Sequence, residues 1–166
     1  MPSNPPNLER LVRALTSESV RFVVIGGFAV VLHGGRTTTM DSDFAIATDP
    51  ENLSSIVRAL APFQPRPWHW PEGIPFVWDE RSIFGSNVSL NTIASDVDLL
   101  LELPGVDSFD GLLRRSVEKL LSGVTFNVAS VGDLIDMKRA ANRPQDIVHL
   151  AELDRIRRAS ETDCGL

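Results

Sequence analysis

The stretch "IGGFAVVLHGGRTTTMDSDFAI", Ile25 to Ile46, sets two adjacent glycines shortly before two aspartates spaced two apart. It is preceded by "VRFVV", and "VRFVVIGG" is a short, β-branched, almost wholly apolar run, which predicts a buried strand ending at Gly26 and Gly27. "FAVVLHG" is too apolar for a loop and is assigned to a short helix opening just after the glycines, although periodicity alone does not separate it from strand. "DSDFAIA", Asp41 to Ala47, alternates apolar and polar positions and predicts the next strand.

Side chains alternate faces along a strand, so Asp41 and Asp43 point the same way with Ser42 opposite. Two carboxylates on one face repel unless a cation lies between them or solvent screens them. Mg²⁺ suits that arrangement, because it takes hard oxygen ligands and completes its shell with waters and substrate phosphates. Asp96 and Asp98 repeat the spacing in "SDVDLL", and a strand paired beside the first would bring a third carboxylate to the cluster. Gly26 and Gly27, at a strand-to-helix junction, would let backbone N–H groups approach an anion. Carboxylates holding two metals opposite a phosphate cradle is a layout for in-line attack on a nucleotide phosphorus.

Outward from this unit, "LERLVRALTSES", Leu8 to Ser19, places Leu8, Leu11, Val12 and Leu15 on one helical face. "DPENLSSIVRAL" opens a helix with an Asp cap and a Pro. "APFQPRPWHWPEGIP", Ala61 to Pro75, carries five prolines and predicts a surface loop or lid. Three strands are expected from "PFVWDERSI", "NVSLNTI" and "SDVDLLLEL", a helix from "DSFDGLLRRSVEKLL" and a strand from "GVTFNVA". Two closing helices, "SVGDLIDMKRAAN" and "RPQDIVHLAELDRIRRA", are expected to break near Asn142 to Pro144. The sum is an α+β domain, a mixed sheet flanked by helices.

At 166 residues and 43% hydrophobic content the chain suffices for one core, and it is read as a single domain over 1–166, with 1–7 expected to be disordered and 160–166 a flexible tail. The N-terminal "MPSNPPN" lacks an apolar signal core, so a cytoplasmic location with no membrane association is expected. Cys164 is a lone cysteine, which excludes a disulfide scaffold. The net charge of -6 argues against a domain held stably to duplex nucleic acid. The basic clusters Arg114, Arg115, Lys119 and Arg155, Arg157, Arg158 are read as solvated helix faces.

Here the chain resembles the minimal nucleotidyltransferases of the DNA polymerase β-like fold, in which a GG or GS pair precedes D-x-D. "NVSLNTIASDVDLLLELPG" and "VGDLIDMKRAANRPQDIVHLAEL" are similar to the bacterial AbiEii-type group, so the likeness runs from about Phe22 to about Leu153. The resemblance implies a nucleotidyltransfer from an NTP to a hydroxyl acceptor: a tRNA end, a protein or a small molecule. It also implies two Mg²⁺ ions held by Asp41 and Asp43, the triphosphate on Gly26 and Gly27, and Asp98 as third carboxylate, acting as base or orienting the attacking hydroxyl. Asp96 shares its strand face, and pattern alone does not choose between the two. Relatives often carry an Arg four residues before the first aspartate; here Thr37 holds that place and Arg36, the nucleotide-binding candidate, lies one earlier. Lys138, in "KRAANRPQD", is a second nucleotide-binding candidate, beside an Arg143–Asp146 pair that equally suits a salt-bridged helix junction. A cognate antitoxin is a further implied partner. The alternative is an inactive nucleotide-binding or protein-interaction module on the same fold.

Three histidines and a tryptophan pair stand outside this set. His33 is read as a helix-end or polar-corner residue, and His69 and His149 have no neighbouring ligand set for zinc. Trp68 and Trp70 are read as pinning the Pro-rich loop, with base stacking as the functional alternative.

Overall fold

Leu8, Leu11, Val12 and Leu15 form the buried face of helix α1 (Leu8–Ser17) in the computed structural model, which describes residues 7–164. Asn7 caps it, accepting from the Arg10 N–H at 3.2 Å. Apart from Asn7, the expected disordered stretch 1–7 lies outside the described residues, as do residues 165 and 166 of the tail. Strand β1 (Phe22–Ile25) is buried at every position, as its apolar run requires. Helix α2 (Gly26–Leu32) opens directly on the glycine pair, and strand β2 (Asp41–Ile46) and helix α3 (Pro50–Leu60) follow. Asp49 caps α3 by accepting from the Asn52 N–H at 3.1 Å.

The remaining elements are β3 (Arg66–Pro67), β4 (Val88–Asn91), β5 (Asp96–Leu100), α4 (Phe109–Arg115), β6 (Val117–Leu121), β7 (Val124–Val128), α5 (Val131–Ala141) and α6 (Asp146–Asp163). The strands form one seven-stranded sheet in the order β3-β4-β5-β2-β1-β7-β6. β1 runs antiparallel to β2 and parallel to β7, and β2 runs parallel to β5, so the sheet is mixed and the domain is α+β. Helix α1 packs on α3 and β7, while α2 packs on β1, β2, α5 and α6. Phe22 meets Phe44 edge to face at 5.7 Å between β1 and β2, in a core that also buries Leu90, Val97 and Leu99. Among the described residues no helix is long and apolar enough to cross a membrane.

Two element expectations are corrected. Pro75 to Ile83 is not a strand: Trp78 donates its Nε1–H to the Val57 carbonyl of α3 at 2.9 Å, and Asp79 caps a short 3₁₀ turn, Glu80–Ser82. The alternation there places anchors, Trp78 and the buried Ile83, and β4 takes its outer partner from β3 instead. Nor is 107–121 one helix. Ser116 turns the chain extended after Arg115, and Val117–Leu121 pairs with β7. Ser122 and Gly123, with φ of 49° and 80°, close that hairpin in two residues, so local turn chemistry overrides the helical pattern. At the other end α6 continues to Asp163, so residues 160–163, expected in the tail, are helical.

Candidate active site

The pairing of β2 with β5 builds the site. Asp41 lies opposite Asp96 and Asp43 opposite Asp98, so the two D-x-D repeats stand side by side on one sheet face. β1 completes the arrangement from the other side, where Ile25 pairs with Asp43 and brings Gly26 against the same carboxylate. Asp41, Asp43 and Asp98 line one cleft of about 420 Å³ with Gly26, Gly27 and Lys138. Asp96 does not line it; its Oδ1 accepts from Asn91 Nδ2 at 2.7 Å. Register thus brings Asp96 to Asp41 and Asp98 to Asp43, and of the two Asp98 lines the cleft.

Gly26 has φ +69°, and a Cβ there would fall on the Asp43 carboxylate. Gly27 is buried, and a Cβ on it would stand 2.7 Å from Cβ of Thr39. The glycine pair therefore gives β1 and α2 the close approach to β2 and its leading loop that a side chain would prevent.

The carboxylates are electrostatically frustrated. Burial pushes the Asp43 carboxyl up to about 7, helped by the Asp98 charge, by a hydrogen bond with Asp98 and by Asp41, with Lys138 opposing. Asp41 is also raised, by burial first and then by Asp98 and Asp96. Among the described residues no three His, Cys, Asp or Glu side chains stand in an arrangement that would hold a metal ion unaided.

The cations of the cleft come from the junction of α5 and α6. Asn142 takes a left-handed conformation, φ 48°, and ends α5, so the chain doubles back into α6. Lys138 Nζ donates to Asp146 Oδ1 at 3.0 Å, and Arg143 Nε to Asp146 Oδ2 at 2.9 Å. Asp146 is only 1% exposed; burial would raise its carboxyl, but the Arg143 and Lys138 bonds outweigh this and hold it below the usual range. The salt-bridged junction and the site are the same place, since Lys138, Arg143 and Asp146 all line the cleft.

Arg36 is not brought there. The segment before β2 alternates, with Thr37 and Thr39 turned inward and Arg36 exposed. The Arg36 backbone N–H donates to Glu152 Oε2 at 2.8 Å, and its side chain is outside the cleft lining. Sequence reasoning missed His149, which lines the cleft, hydrogen bonds Thr37 Oγ1 through Nε2 at 2.8 Å and leaves Nδ1 buried without a protein partner among the described residues. The available signal was its place three residues after Asp146, on the same face of α6. Burial lowers its basicity, as does the Lys138 charge. His33 does fill a polar corner: Nε2–H donates to the Ala129 carbonyl at 2.8 Å, and burial lowers its basicity too.

The Pro-rich loop is tied to the sheet edge, where Arg66 and Pro67 pair with Asn91 and Leu90. Trp70 pins the loop to itself, donating Nε1–H to the Ile74 carbonyl at 3.0 Å. Trp68 stays 46% exposed. Half of the two basic clusters is paired: Arg115 with Asp107 and Asp133, Arg155 with Glu152, Arg157 with Asp154; Lys119, expected on a helix face, lies instead on β6.

No family model matches the chain, and no curated protein matches it in sequence. Solved structures do share its fold. The lincosamide antibiotic adenylyltransferase LnuA, bound to lincomycin, superposes with a TM-score of 0.61 at 13% identity, covering 92% of this chain and 99% of LnuA. ANT(2″)-Ia, in complex with adenylyl-2″-tobramycin, gives 0.54 at 12% identity over 95% and 97% of the two chains. A proposed nucleotidyltransferase of Thermotoga maritima, TM1012, gives 0.51 at 15% identity over 93% and 91%. The fold is that of the nucleotidyltransferases.

Proposed function

We propose that this chain is an Mg²⁺-dependent nucleotidyltransferase that moves a nucleoside monophosphate from an NTP to a hydroxyl acceptor and releases pyrophosphate. The observation that carries this is the β2–β5 register, which sets Asp43 beside Asp98 in a cleft whose other walls are Gly26, Gly27, Lys138 and Arg143. The similarity in fold to adenylyltransferases of antibiotics supports the same chemistry.

The donor set fits a divalent cation: Asp41, exposed, and Asp43, half-buried, are hard oxygen donors on one strand face, and the negative charges of Asp41, Asp43 and Asp98 oppose one another until a cation joins them. They would hold the metal, one ion or two, together with the phosphates of the NTP, which supply the ligands that the protein lacks. Bound there, Mg²⁺ supplies charge neutralisation at the α-phosphate. Asp98 orients the acceptor hydroxyl and takes its proton. Gly26 and Gly27 leave room for the phosphates to meet the backbone, and Lys138 faces them as a point charge. Arg143 supplies the guanidinium expected from Arg36, since it lines the cleft and Arg36 does not.

A second reading, a nucleotide-binding module without turnover, is favoured by the absence of a self-sufficient metal set among the described residues and by the outward Arg36. A cognate antitoxin would suit either reading. Titrating each NTP calorimetrically with and without Mg²⁺, then following pyrophosphate release over an acceptor panel, separates them. Transfer that disappears in Asp98→Asn supports the enzyme; Mg²⁺-dependent binding with no transfer to any acceptor supports the module; no NTP binding by folded protein sinks both.

A further inference from the structure

A second groove, of about 510 Å³, opens beside the carboxylates and is bounded by Asp41, Asp96, Asp98, Ser89, Trp68 and His69. It joins the cleft through Asp41 and Asp98, which line both spaces. The two differ in charge: Lys138 and Arg143 line the cleft, whereas among the described residues no Lys or Arg lines the groove. A triphosphate is drawn to the cationic side, which leaves the groove as the approach of an acceptor to the shared carboxylates.

Resting on the nucleotidyl-transfer reading, we propose that this groove is the acceptor site and that it takes a small hydroxyl-bearing cation, an amine-substituted polyol, in preference to a nucleic-acid end. Three features select that chemistry. Asp96, excluded from the cleft, faces the groove; Asn91 fixes its Oδ1, and Oδ2 has no protein partner among the described residues, so it is free to accept from an ammonium. Trp68 is held as a platform over the same space. Its backbone N–H donates to the Ser89 carbonyl at 2.9 Å, Ser89 pairs directly with Asp98, and His69 meets its ring edge to face at 5.6 Å. The indoles of Trp70 and Trp78 donate to loop and helix carbonyls, but Trp68 Nε1 has no protein partner among the described residues, and its exposed face suits a ring carrying both C–H edges and positive charge. A phosphodiester in the groove would meet Asp96 and Asp98 with no Lys or Arg beside them among the described residues, which is repulsive.

The step balances without another reactant. The acceptor hydroxyl oxygen forms a bond to the α-phosphorus of the NTP, the bond from that phosphorus to the bridging oxygen breaks, pyrophosphate leaves with the electron pair, and the hydroxyl proton passes to Asp98.

The test uses the full chain and a matched pair of probes, the glucosamine disaccharide and its N-acetylated counterpart, titrated without nucleotide at a pH that keeps the amines charged. The charged disaccharide is expected to bind about tenfold tighter, the discrimination of one or two partly exposed charge pairs. Asp96→Asn should abolish that preference, and Trp68→Ala, at an exposed position that folding does not need, should weaken both probes about fivefold. With labelled NTP, the charged disaccharide should be labelled and a short single-stranded RNA should not. Equal binding of the two disaccharides, or labelling of the RNA in place of the charged disaccharide, overturns the proposal. Mg²⁺–NTP binding measured on the same samples keeps the readings apart. Its absence beside a preference that Asp96→Asn removes defeats nucleotidyl transfer but not the groove's chemistry; its presence without that preference defeats the groove alone.

Discussion

At the scale of single residues, Asp43 makes the sharpest prediction. Its folded carboxyl is pushed up to about 7 from an ordinary 3.8, by burial first and Asp98 second. The native state therefore holds this proton when the unfolded chain has released it, so the contribution is present at low pH and is lost as pH rises through about 7. Thermal denaturation without metal should show wild type losing stability between about pH 4 and pH 7, while Asp43→Asn is the more stable protein above that window by on the order of 2 kcal/mol, after screening by the open cleft. Parallel curves for the two proteins would refute this account of the site's frustration. Gly26 carries a second prediction. Its φ of +69° and its contact with Asp43 leave no place for a methyl group, so Gly26→Ala should cost about 1–3 kcal/mol by denaturant titration. Unchanged stability would mean that β1 and β2 separate at the site more easily than their register implies.

At the scale of elements, the α5–α6 turn is held by one buried carboxylate shared between two cations. Asp146→Asn leaves the buried Lys138 without its counter-charge, and should destabilise the fold by about 3 kcal/mol. Replacing both ends of the pair, Lys138→Met with Asp146→Leu, should recover most of that stability while NTP binding remains lost. If the double variant binds NTP like wild type, the pair serves only the helix junction. Chemical denaturation and calorimetry on the same three proteins decide it. The same turn explains why these residues were only partly legible: "KRAANRPQD" marks a helix break by its Asn and Pro, yet nothing local says that the break folds back over the aspartates. The hairpin at Ser122–Gly123 and the anchored Trp78 show the converse case, in which a good helical or strand pattern lost to turn geometry and to a partner elsewhere in the chain.

At the scale of the whole molecule, the net charge of -6 opposes the long-range attraction of a polyanion. Fluorescence anisotropy with labelled tRNA at physiological salt should detect no binding tighter than about 100 µM, the weak end of non-specific association. A tighter complex would count against the acidic groove as an acceptor site and reopen a nucleic-acid acceptor.

The sequence by itself determined the strand–glycine–helix–strand unit, the common face of Asp41 and Asp43, and the existence of a second carboxylate pair, because side-chain alternation and glycine permissiveness act within a few residues. Only the tertiary structure decided which carboxylate joins them. Asp96 and Asp98 are equivalent by pattern, and it is the pairing of β5 on β2 that sets Asp98 beside Asp43, lining both cleft and groove, and leaves Asp96 in the groove alone. The same holds for Arg36 and His149. As α6 packs on the loop before β2, His149 bonds Thr37 and lines the cleft while Arg36 is turned outward. Register and packing join residues 55 and 112 positions apart, and no periodicity within one segment encodes such a meeting.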